Sequence, residues 1–442
     1  MTLEFHERDD YLSWGRVERR PQLVARPASR RDLAPFAHGE RRPRLAVGLL
    51  RSYGDSCLAT GAALLDLTRL DHFIAFDEES GLLTAEAGVS LGEVMRAFVP
   101  RGWFPPVTPG TRFVTLGGAV ANDVHGKNHE AAGTIGRHVA RLTLLRSDAG
   151  EITCSPTENA ELFAATIGGL GLTGIITTVT LRMRRIQSAF VDAEKLAYGN
   201  LDEFFALNAA SEGAYEHLVA WFDCTAGSRN LGRGIFSRAN WSPFGALEPH
   251  RERSLLRVPI EFPPNSINRL SLRAINFAYR ALELRGLGSH RLHYGPFFHP
   301  LDTIEGWSRI YGRAGMYQYQ CVLPPESATD ATRALLDAIS RSGEGSFLAV
   351  LKAFGALPSP GLLSFPRPGI TLAVDFANHG PRTLALFERL DAIVREAGGR
   401  LYPAKDGRIS REMFAAGYPE LARFVRSVDP ACTSDFWERV RP

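Results

Sequence analysis

The sequence contains few cysteines and no long apolar segment. Its five cysteines are spread over 442 residues and form no Cys-x-x-Cys pair, which supports neither a zinc knuckle nor a redox dithiol. Such usage is typical of a reducing compartment. No stretch reaches the ~20 apolar residues that span a bilayer, and the charged N-terminal residues lack the apolar run of a secretory signal. We therefore expect a cytoplasmic protein, with peripheral contact at the inner face of a membrane left open.

An excess of charge of one sign is also missing. The chain has 51 basic and 48 acidic residues, which gives a net charge of +3. Its arginine clusters lack the interleaved aromatic side chains that stack on nucleic-acid bases, so we expect no nucleic-acid partner. The hydrophobic fraction of 45% is that of a globular protein, and the length favours more than one domain.

Glycine, by contrast, is concentrated in one segment. Residues 105–136 read PPVTPGTRFVTLGGAVANDVHGKNHEAAGTIG and contain six glycines, two histidines and a lysine, with apolar residues between them. Glycine is needed where the backbone lies directly against another group. Successive backbone N–H groups in such a segment form a nest for anionic oxygens. The composition predicts one wall of a buried site for a phosphate-bearing cofactor.

A second short turn supports the same interpretation. RSYGDS, at residues 51–56, follows an apolar segment over 45–50 and offers backbone N–H donors to a pyrophosphate. The extended diphosphate of a dinucleotide needs contacts from more than one loop, and the glycine-rich segment follows about 55 residues later.

A third glycine motif, GLGLTG at residues 169–174, matches the G-x-G-x-x-G pattern of dinucleotide-binding turns. That motif must follow a strand and open a helix. Here a helical pattern precedes it and a strand pattern follows it. We therefore interpret it as a close-packed connection from a helix to a strand beside a ligand.

The segment His125–Glu130, HGKNHE, allows three interpretations. Two histidines four residues apart beside a glutamate can bind a metal when they share a helix face, but Gly126 and Asn128 disfavour a helix and no third ligand is evident, so we expect no metal. A histidine hydrogen-bonded in the core is the second interpretation. The third is a histidine and a lysine that line a substrate cavity.

Lys405 allows two interpretations. It lies between apolar residues after a predicted helix. It is either a solvated lysine paired with Asp406 or a cation placed where negative charge develops during a reaction.

Local patterns predict an α+β architecture. Ser90 and Glu93 form a capping box that opens a helix, and a second helix is expected over 160–166. Strands are expected over 64–67, 73–76, 82–87, 142–145, 151–153 and 175–183, and later over 347–354 and 370–376. Two further helices are expected over 326–341 and 382–397. Residues 240–305, rich in proline, arginine and aromatics, are expected to form a mobile loop region.

Several segments together resemble one group of flavoproteins. RSYGD (51–55), PGTR (109–112), HGKNH (125–129), GLTGII (171–176) and AKD (404–406) occur in an order similar to that of the vanillyl-alcohol-oxidase superfamily, in particular its decaprenylphosphoryl-β-D-ribose 2′-oxidases. The resemblance covers nearly the whole chain. It implies a two-domain FAD-binding fold of the PCMH type. Residues 1–188 would form the FAD-binding domain, 189–399 a substrate-binding cap of mixed α+β structure built on a sheet, and 400–442 a return to the FAD-binding domain.

The resemblance also implies site residues. Those implied to contact FAD are Arg51, Ser52, Tyr53, Gly54, Asp55, Ser56, Gly110, Thr115, Leu116, Gly117, Gly118, Asn122, Asp123, Val124, His125, Ile176, Tyr402 and Lys405. Those implied to line the space before the isoalloxazine ring are His125, Lys127, Trp221, Gln318, Gln320, Lys352, Phe354 and Lys405. Lys405 would be the cation beside the reduced flavin. His125 or Lys127, or a water that they hold, would accept the hydroxyl proton, and Lys352 could meet a substrate phosphate.

Four positions depart from patterns of the superfamily. Leu50 stands where members often have a glycine, so the turn before Arg51 must either differ or tolerate a side chain. Ala373 replaces a cysteine that nitroaromatic inhibitors attack in mycobacterial members, so we expect insensitivity to such inhibition, and Thr371 replaces an asparagine. Tyr53 stands near the histidine to which other superfamily members attach FAD, which predicts noncovalent FAD.

The implied reaction is oxidation of the 2′-hydroxyl of a polyprenyl-phosphate-linked pentose to a 2′-keto sugar. It would be the first half of an epimerisation to the arabinose form for cell-envelope glycan synthesis. The implied partners are the lipid-linked sugar, a short-chain reductase for the second half-reaction and a quinone or other electron acceptor. Two alternatives stay open: a soluble alditol or sugar-1,4-lactone oxidase that uses O₂, and a flavin-free assembly partner of a glycan-building complex.

Overall fold

The computed structural model describes residues 3–37, 42–251, 254 and 256–442. These residues form three main sheets flanked by helices, which confirms the prediction of an α+β architecture. No helix in these ranges is both long and apolar enough to cross a membrane.

The first sheet is small and lies near the N-terminus. Its four strands lie in the order His6–Arg8, Gln22–Ala25, Ala63–Asp66 and Arg44–Val47. The last three are parallel to one another, whereas the first is antiparallel to its neighbour. All four residues of Ala63–Asp66 are buried, as expected for a short apolar strand in the middle of a sheet.

The second sheet has five antiparallel strands, in the order Phe73–Asp77, Leu82–Glu86, Ile175–Arg182, Val139–Arg146 and Gly150–Cys154. Both predicted hairpins are present, because the first two strands pair with each other and so do the last two. The helix Leu91–Phe98 follows the first hairpin. Ser90 accepts a hydrogen bond from the backbone N–H of Glu93, and the Glu93 carboxylate accepts one from the backbone N–H of Ser90, which confirms the capping box.

The glycine motif at residues 169–174 connects the helix Ala160–Thr166 to the strand Ile175–Arg182. This is the predicted helix-to-strand context, not the strand-to-helix context of a dinucleotide-binding turn. Gly171 and Gly174 have φ angles of 78° and 134°, so the tight path of the connection depends on glycine.

The third sheet, here called the cap sheet, has eight strands. Their order is Gly288–His293, Phe190–Tyr198, Gly234–Trp241, His217–Phe222, Ala349–Phe354, Gly369–Ala377, Met316–Leu323 and Arg400–Leu401, and every pair is antiparallel. The predicted helices appear as Ala328–Ser342 and Pro381–Glu396. They bury one face of the sheet, where Leu372, Val374 and Phe376 lie in the core. The opposite face of the cap sheet is not covered by these two helices and is available for a binding site.

The prediction of a mobile loop region over residues 240–305 is wrong in part. The described residues there include the 15-residue helix Arg269–Glu283, the strand Gly288–His293 and the short helix Tyr294–Phe298. The prolines that suggested irregular structure lie outside residues 265–295. Asn268 caps the long helix by accepting from the backbone N–H groups of Leu270 and Ser271, and nothing within the helix breaks it.

The remaining short elements connect these layers. Further α-helices span Leu116–Ala121, His129–Ala132, Leu201–Ser211, Arg411–Gly417, Leu421–Val425 and Asp435–Val440. Short 3-10 helices span Arg30–Phe36, Asp55–Cys57, Val99–Arg101, Ile135–His138, Ser228–Asn230, Leu284–Gly286, Pro300–Thr303 and Trp307–Tyr311. Two-stranded pairings join Trp103–Phe104 to Arg184–Arg185, and Leu256–Arg257 to Ile304–Glu305.

The C-terminal residues return to the small sheet. Cys432 forms a β-bridge with Arg44, and the backbone N–H of Asp435 donates to the carbonyl of Leu58 at 2.8 Å. The guanidinium of Arg439 pairs with the carboxylate of Asp55 at 2.8 Å. On these contacts and the grouping of the sheets we propose the division into 1–188, 189–399 and 400–442.

Candidate functional site

A cavity of roughly 950 Å³ lies between the turns of the N-terminal sheets and the open face of the cap sheet. This volume is near the upper end of the range of small-molecule sites in proteins. Its walls come from distant parts of the sequence. They include residues 46–53, most of residues 109–125, parts of the connection at 170–176, the strands around Gln318, Val350 and Ala373, and the C-terminal Tyr402, Ala404 and Lys405.

Two predicted turns meet at the first wall because glycine lets them approach. A Cβ atom added to Gly48 would lie 2.2 Å from the hydroxyl oxygen of Thr115, so no side chain fits between the two turns. A Cβ atom added to Gly54 would lie 1.7 Å from the carbonyl oxygen of Asp406. Gly54 thus allows the turn at 51–56 to pack directly against the C-terminal return.

The conformation of Leu50 shows how the turn before Arg51 accommodates a side chain in place of glycine. Its φ angle is 52°, in the left-handed region that favours glycine. The backbone conformation suited to glycine is therefore present, and the leucine side chain is tolerated there. Leu50 packs against the small apolar cluster that contains Tyr11 and Leu45. This packing offsets the strain of about 1–2 kcal/mol that a non-glycine residue incurs in this conformation.

The polar atoms of this wall fit a ligand. Among the described residues, Ser56 Oγ, Asn122 Oδ1 and His125 Nδ1 are buried atoms of cavity-lining residues that have no hydrogen-bond partner. An unpaired buried polar group costs about 1–3 kcal/mol, so a bound molecule with complementary groups is favoured. Beside them, a Cβ on Gly110 would meet nothing within 4 Å in the described part of the chain apart from its two chain neighbours, which leaves room for that molecule.

The opposite wall follows from strand alternation in the cap sheet. Gln318 and Gln320 share one face of Met316–Leu323, whereas Tyr319 and Cys321 point into the core. Gln320 lies directly opposite Ala373, which in turn lies opposite Val350. The side chains of Gln318, Gln320, Ala373 and Lys352 therefore all line the cavity.

Lys405 lies where the two walls meet. Its Nζ is 4.0 Å from the centre of the Tyr53 ring, and the backbone N–H of Tyr53 donates to the carbonyl of Ala404 at 2.9 Å. Asp406 does not pair with this lysine, since its carboxylate accepts from the backbone N–H groups of Arg408 and Ile409. The interpretation of a solvated Lys405–Asp406 pair is therefore wrong. Burial lowers the pKa of Lys405, and the Asp375 carboxylate opposes that shift.

A second lysine and a histidine also line the cavity. Burial lowers the pKa of Lys352 to about 8. Burial, with the nearby positive charge of Lys352, also holds the pKa of His125 well below its usual range, so the imidazole is neutral at physiological pH. Nε2 of His125 lies 3.3 Å from the amide nitrogen of Gln320. Four arginines and two lysines line the cavity against the carboxylates of Asp302 and Glu305, so it is electropositive, and it contains a neutral base.

Several residues implied by the resemblance lie outside the cavity wall. The ammonium of Lys127 donates to the carbonyl of Phe297 and lies over that ring, with its pKa lowered to about 7 by burial. The indole N–H of Trp221 donates to the carbonyl of Phe347, farther out on the cap sheet. Phe354 packs between the rings of His125 and His129. Lys127 is thus corrected from a residue lining the cavity to one that braces the Phe297 helix.

Four implied cofactor residues also have structural partners. The carboxylate of Asp123 accepts from the hydroxyls of Ser359 and Ser364, both at 2.5 Å, and Asp55 pairs with Arg439. Leu116 is fully buried in the core, and Gly54 contacts Asp406. The structure places this set behind the cavity wall. The implied residues that do line it are Arg51, Ser52, Tyr53, Ser56, Gly110, Thr115, Gly117, Gly118, Asn122, Val124, His125, Ile176, Gln318, Gln320, Lys352, Tyr402 and Lys405.

Asp375 was missed by the sequence analysis. It is fully buried and accepts from the amide of Gln318 at 2.5 Å, and its Oδ2 has no hydrogen-bond partner among the residues that the structure describes. Burial raises its pKa, and the charge of Lys405 opposes this shift. The alternation of apolar and other residues in Gly369–Ala377 could have placed Asp375 on the same face as Ala373. Its pairing with Gln318 needed the register of the two strands.

Among the described residues, no group of three or more histidine, cysteine, aspartate or glutamate side chains could hold a metal ion. His125 and His129 flank Phe354, with ring centres 4.8 and 4.4 Å from it. The metal interpretation of this segment therefore gains no support from its geometry.

Comparison with known proteins identifies the cofactor that the chain binds. Residues 21–155 match the FAD binding domain family. The chain is 38% identical to decaprenylphosphoryl-β-D-ribose oxidase of Mycolicibacterium smegmatis, over 93% of this chain and 90% of that protein. It is 31% identical to an uncharacterized protein of the mprA 5′ region of Streptomyces coelicolor, over 80% and 100%. It is 26% identical to L-gulonolactone oxidase of Mus musculus, over 41% and 42%.

These matches agree with the two apposed turns and the electropositive cavity that they help to form. The protein is an FAD-dependent oxidoreductase. Because the alignment with the Mycolicibacterium enzyme extends over nearly all of both chains, this chain belongs to the decaprenylphosphoryl-β-D-ribose oxidase family, within the FAD-linked oxidases of the vanillyl-alcohol-oxidase type.

Proposed function

We propose that this protein oxidises the 2′-hydroxyl of a pentose linked to a polyprenyl phosphate and forms the 2′-keto sugar. The observation that carries the proposal is the pairing of two walls across one cavity. One wall consists of the glycine turns of an FAD-binding domain, and the other presents Lys352, Gln318 and Gln320 from the cap sheet. The similarity to decaprenylphosphoryl-β-D-ribose oxidase supports this substrate class.

FAD would be held without a covalent bond. The turn at Arg51–Ser56, the segment Gly110–His125, Ile176 and Tyr402 would hold it. Tyr53 cannot form the bond that a histidine makes in other superfamily members. The nearby Cys57 has its pKa raised to about 12 by burial, and its thiol faces the carbonyls of Ser52 and Gly54. The only thiol next to the cavity among the described residues is thus a poor nucleophile.

When bound, FAD supplies the acceptor for the hydride that leaves the carbinol carbon. Lys405 would provide a fixed positive charge where negative charge develops. Such a preorganised charge lowers the barrier, because no solvent has to reorient during the reaction. Asp375 would support this role of Lys405, because its buried carboxylate favours the protonated form of the lysine.

The hydroxyl proton would pass to His125 or to a water that it holds, and from there to solvent, because burial and Lys352 disfavour a lasting imidazolium. Its imidazole is neutral, and Nε2 is the atom that faces the amide of Gln320 at 3.3 Å. In this scheme the substrate hydroxyl takes the place of the amide as the donor to Nε2. Lys127 is not part of the scheme, because its ammonium is bound to the Phe297 carbonyl outside the cavity.

Lys352 would hold the substrate phosphate. It lies on the cap wall, and no hydrogen-bond acceptor of the described chain occupies its ammonium. A phosphate beside it would raise its lowered pKa and keep it charged. The sugar would then lie between Lys352 and the first wall, with Gln318 and Gln320 available to its hydroxyls.

Anaerobic flavin reduction tests the proposal. Purified yellow protein is mixed with a short-chain prenyl phosphoribose, and the flavin absorbance is followed. Rapid bleaching is expected with this compound, and none with ribose or ribose 5-phosphate at the same concentration. Protein that lacks flavin, or flavin that stays oxidised, would refute the proposal.

A sugar-1,4-lactone oxidase is the second candidate, favoured by the partial similarity to L-gulonolactone oxidase. It predicts rapid hydrogen peroxide release with free sugars or lactones in air. The proposed function predicts instead that reoxidation needs a quinone or dye acceptor. A reductase would then convert the 2′-keto product to the arabinose form, which gives the protein its place in an epimerisation.

A further inference from the structure

The helix Arg269–Glu283 exposes apolar side chains on the side that faces away from the protein. Leu270 and Phe277 are 77% and 71% exposed, and Leu282 is 63% exposed. Leu270 and Phe277 are seven residues apart and therefore point in the same direction. A surface helix normally turns polar residues outward. We call Leu270 and Phe277 the outer face of this helix. Ile275 and Leu282 are also exposed, but they point roughly 120–160° away from it around the helix axis.

The exposure is concentrated in one part of the chain. Eleven of the seventeen exposed large apolar side chains among the described residues lie between Phe244 and Leu287. Scattered exposed apolar residues need no explanation, whereas a cluster marks an interaction surface. Leu256 and Ile260, 64% and 67% exposed, precede the helix.

The inner side of the helix is firmly held. The amide of the buried Asn276 donates to Asp223 at 3.1 Å, and Tyr279 packs on Trp221 with ring centres 4.8 Å apart. Glu283 pairs with Lys195 at 2.7 Å. The outer face is therefore presented by an anchored element, and its exposure does not arise from a loosely attached helix.

The charges around the outer face are of one sign. Arg269 and Arg273 are exposed on the helix, and Arg285 is exposed just after it. The helix has a single acidic residue, Glu283, and Lys195 neutralises it. Arginine beside leucine and phenylalanine is the composition of helices that lie in the interface of an anionic bilayer.

We propose that the outer face docks on the surface of an anionic lipid bilayer. A second copy of the chain fits poorly, because a symmetric contact would bring the same arginines against each other without carboxylates. The helix also lies beside the cavity. Leu272 packs in one cluster with Trp307, and Trp307 lines the cavity. If the proposed function holds, docking would bring the cavity close to membrane-held lipid-linked sugar.

Vesicle sedimentation tests the docking, with the complete flavin-containing protein. Vesicles of phosphatidylcholine with an equal amount of phosphatidylglycerol are compared with phosphatidylcholine alone, at low and high salt. Wild-type protein is expected to sediment with the anionic vesicles, and less so at high salt. L270S/F277S is expected to bind at least about tenfold more weakly. Leu384→Ser, at an exposed position of another helix, is the matched control and should bind like wild type.

Three results would overturn the proposal. They are wild-type protein that stays in solution with anionic vesicles, L270S/F277S that binds like wild type, and a wild-type dimer that L270S/F277S converts to a monomer. Flavin absorbance of the variant checks its folding. Flavin reduction by a soluble short-chain prenyl phosphoribose, measured without vesicles, reports on the proposed function separately from the docking.

Discussion

Lysine is rare in this protein, and its positions are informative. Only four of the 51 basic residues are lysines, namely Lys127, Lys195, Lys352 and Lys405. Two of them line the cavity, and burial lowers the pKa of both. Arginine stays protonated under almost all conditions, whereas an ammonium responds to its surroundings. The protonation of these two lysines can therefore respond to a bound anion and to negative charge that develops on a ligand during the reaction.

The first prediction concerns Lys405. Lys405→Met is expected to retain FAD, because many other groups line that wall, but to reduce flavin about 10²–10³-fold more slowly, since a fixed charge is lost. Anaerobic stopped-flow absorbance measures the rate, and the flavin-to-protein absorbance ratio measures retention. Lys195→Met, which removes a lysine on the cap surface, should leave the rate unchanged. A Lys405→Met protein that reduces flavin at the wild-type rate would exclude this role.

The second prediction concerns Glu130, which follows the HGKNH segment. Burial raises the pKa of this carboxyl to about 7, and its Oε2 has no partner among the described residues. The folded state therefore holds a proton that the unfolded state releases near its ordinary value of 4.5, so stability falls as the pH rises between these values. Glu130→Gln removes this loss and should stabilise the protein by about 1–2 kcal/mol at pH 8.

Denaturant unfolding at two pH values measures this effect. At pH 4 Glu130→Gln should match wild type, because the glutamate is then protonated in both states. Glu158→Gln, at an exposed position, is the control and should show no difference at either pH. An equal gain for Glu130→Gln at both pH values would point to a packing effect and contradict the linkage.

At the level of elements, the sequence predicted those helices and hairpins that are determined by residues close together in the chain. The capping box at Ser90 and Glu93, both hairpins and the helix 160–166 are present in the structure. These features are specified within about ten residues of chain. The helix Arg269–Glu283 was missed because the prolines around it dominated the composition of a larger window.

Of the candidate site, only the glycine-rich turns of the first wall could be predicted from the sequence. Glycine-rich segments mark a wall from sequence alone, because they require particular backbone conformations. The opposite wall depends on which cap strands pair and in which register, as for Asp375 opposite Gln318. Motif resemblance also could not show that Lys127 turns away from the cavity. That depends on the carbonyl of Phe297, which is 170 residues distant in sequence.

The third prediction uses strand alternation in the cap sheet. Ala373 faces the cavity, whereas the flanking Leu372 and Val374 are fully buried in the core. All five native cysteines are buried, and the pKa of the Cys57 thiol beside the cavity is raised to about 12, so it reacts slowly. Ala373→Cys should therefore react rapidly with a small maleimide, and mass spectrometry should locate one label at this position. Leu372→Cys is the matched control and should stay unlabelled in the folded protein. Equal labelling of both variants would contradict the assigned faces.

At the scale of the whole molecule, one arginine ties the N-terminal residues to residues 256–309, here called the covering segment, several of which line the cavity. The guanidinium of Arg16 pairs with Glu261 at 2.5 Å and donates to the carbonyl of Ser308 at 2.7 Å. Arg16 and Ser308 both line the cavity. Glu261 and Ser308 are 47 residues apart in sequence, so the Arg16 side chain contacts the covering segment at two separate positions.

The fourth prediction follows from this link. Arg16→Ala should leave the unfolding temperature nearly unchanged, because the core is untouched, but should speed tryptic cleavage at Arg257 several-fold by releasing the covering segment. Electrophoresis of timed digests measures the rate. Arg20→Ala, an exposed position close by, should be cleaved like wild type. Identical digestion of the Arg16→Ala and wild-type proteins would exclude the link.

The C-terminal return must be synthesised before the binding site can form completely. Tyr402 and Lys405 reach the first wall, and Arg439 holds the turn through Asp55. During synthesis, the turn at Asp55 emerges from the ribosome long before these partners. A chain that stops a few dozen residues early therefore has the nucleotide-binding sequence but only part of its pocket. Yellow colour in a preparation would then report that the chain extends through Arg439, which makes the cofactor a marker of these late contacts.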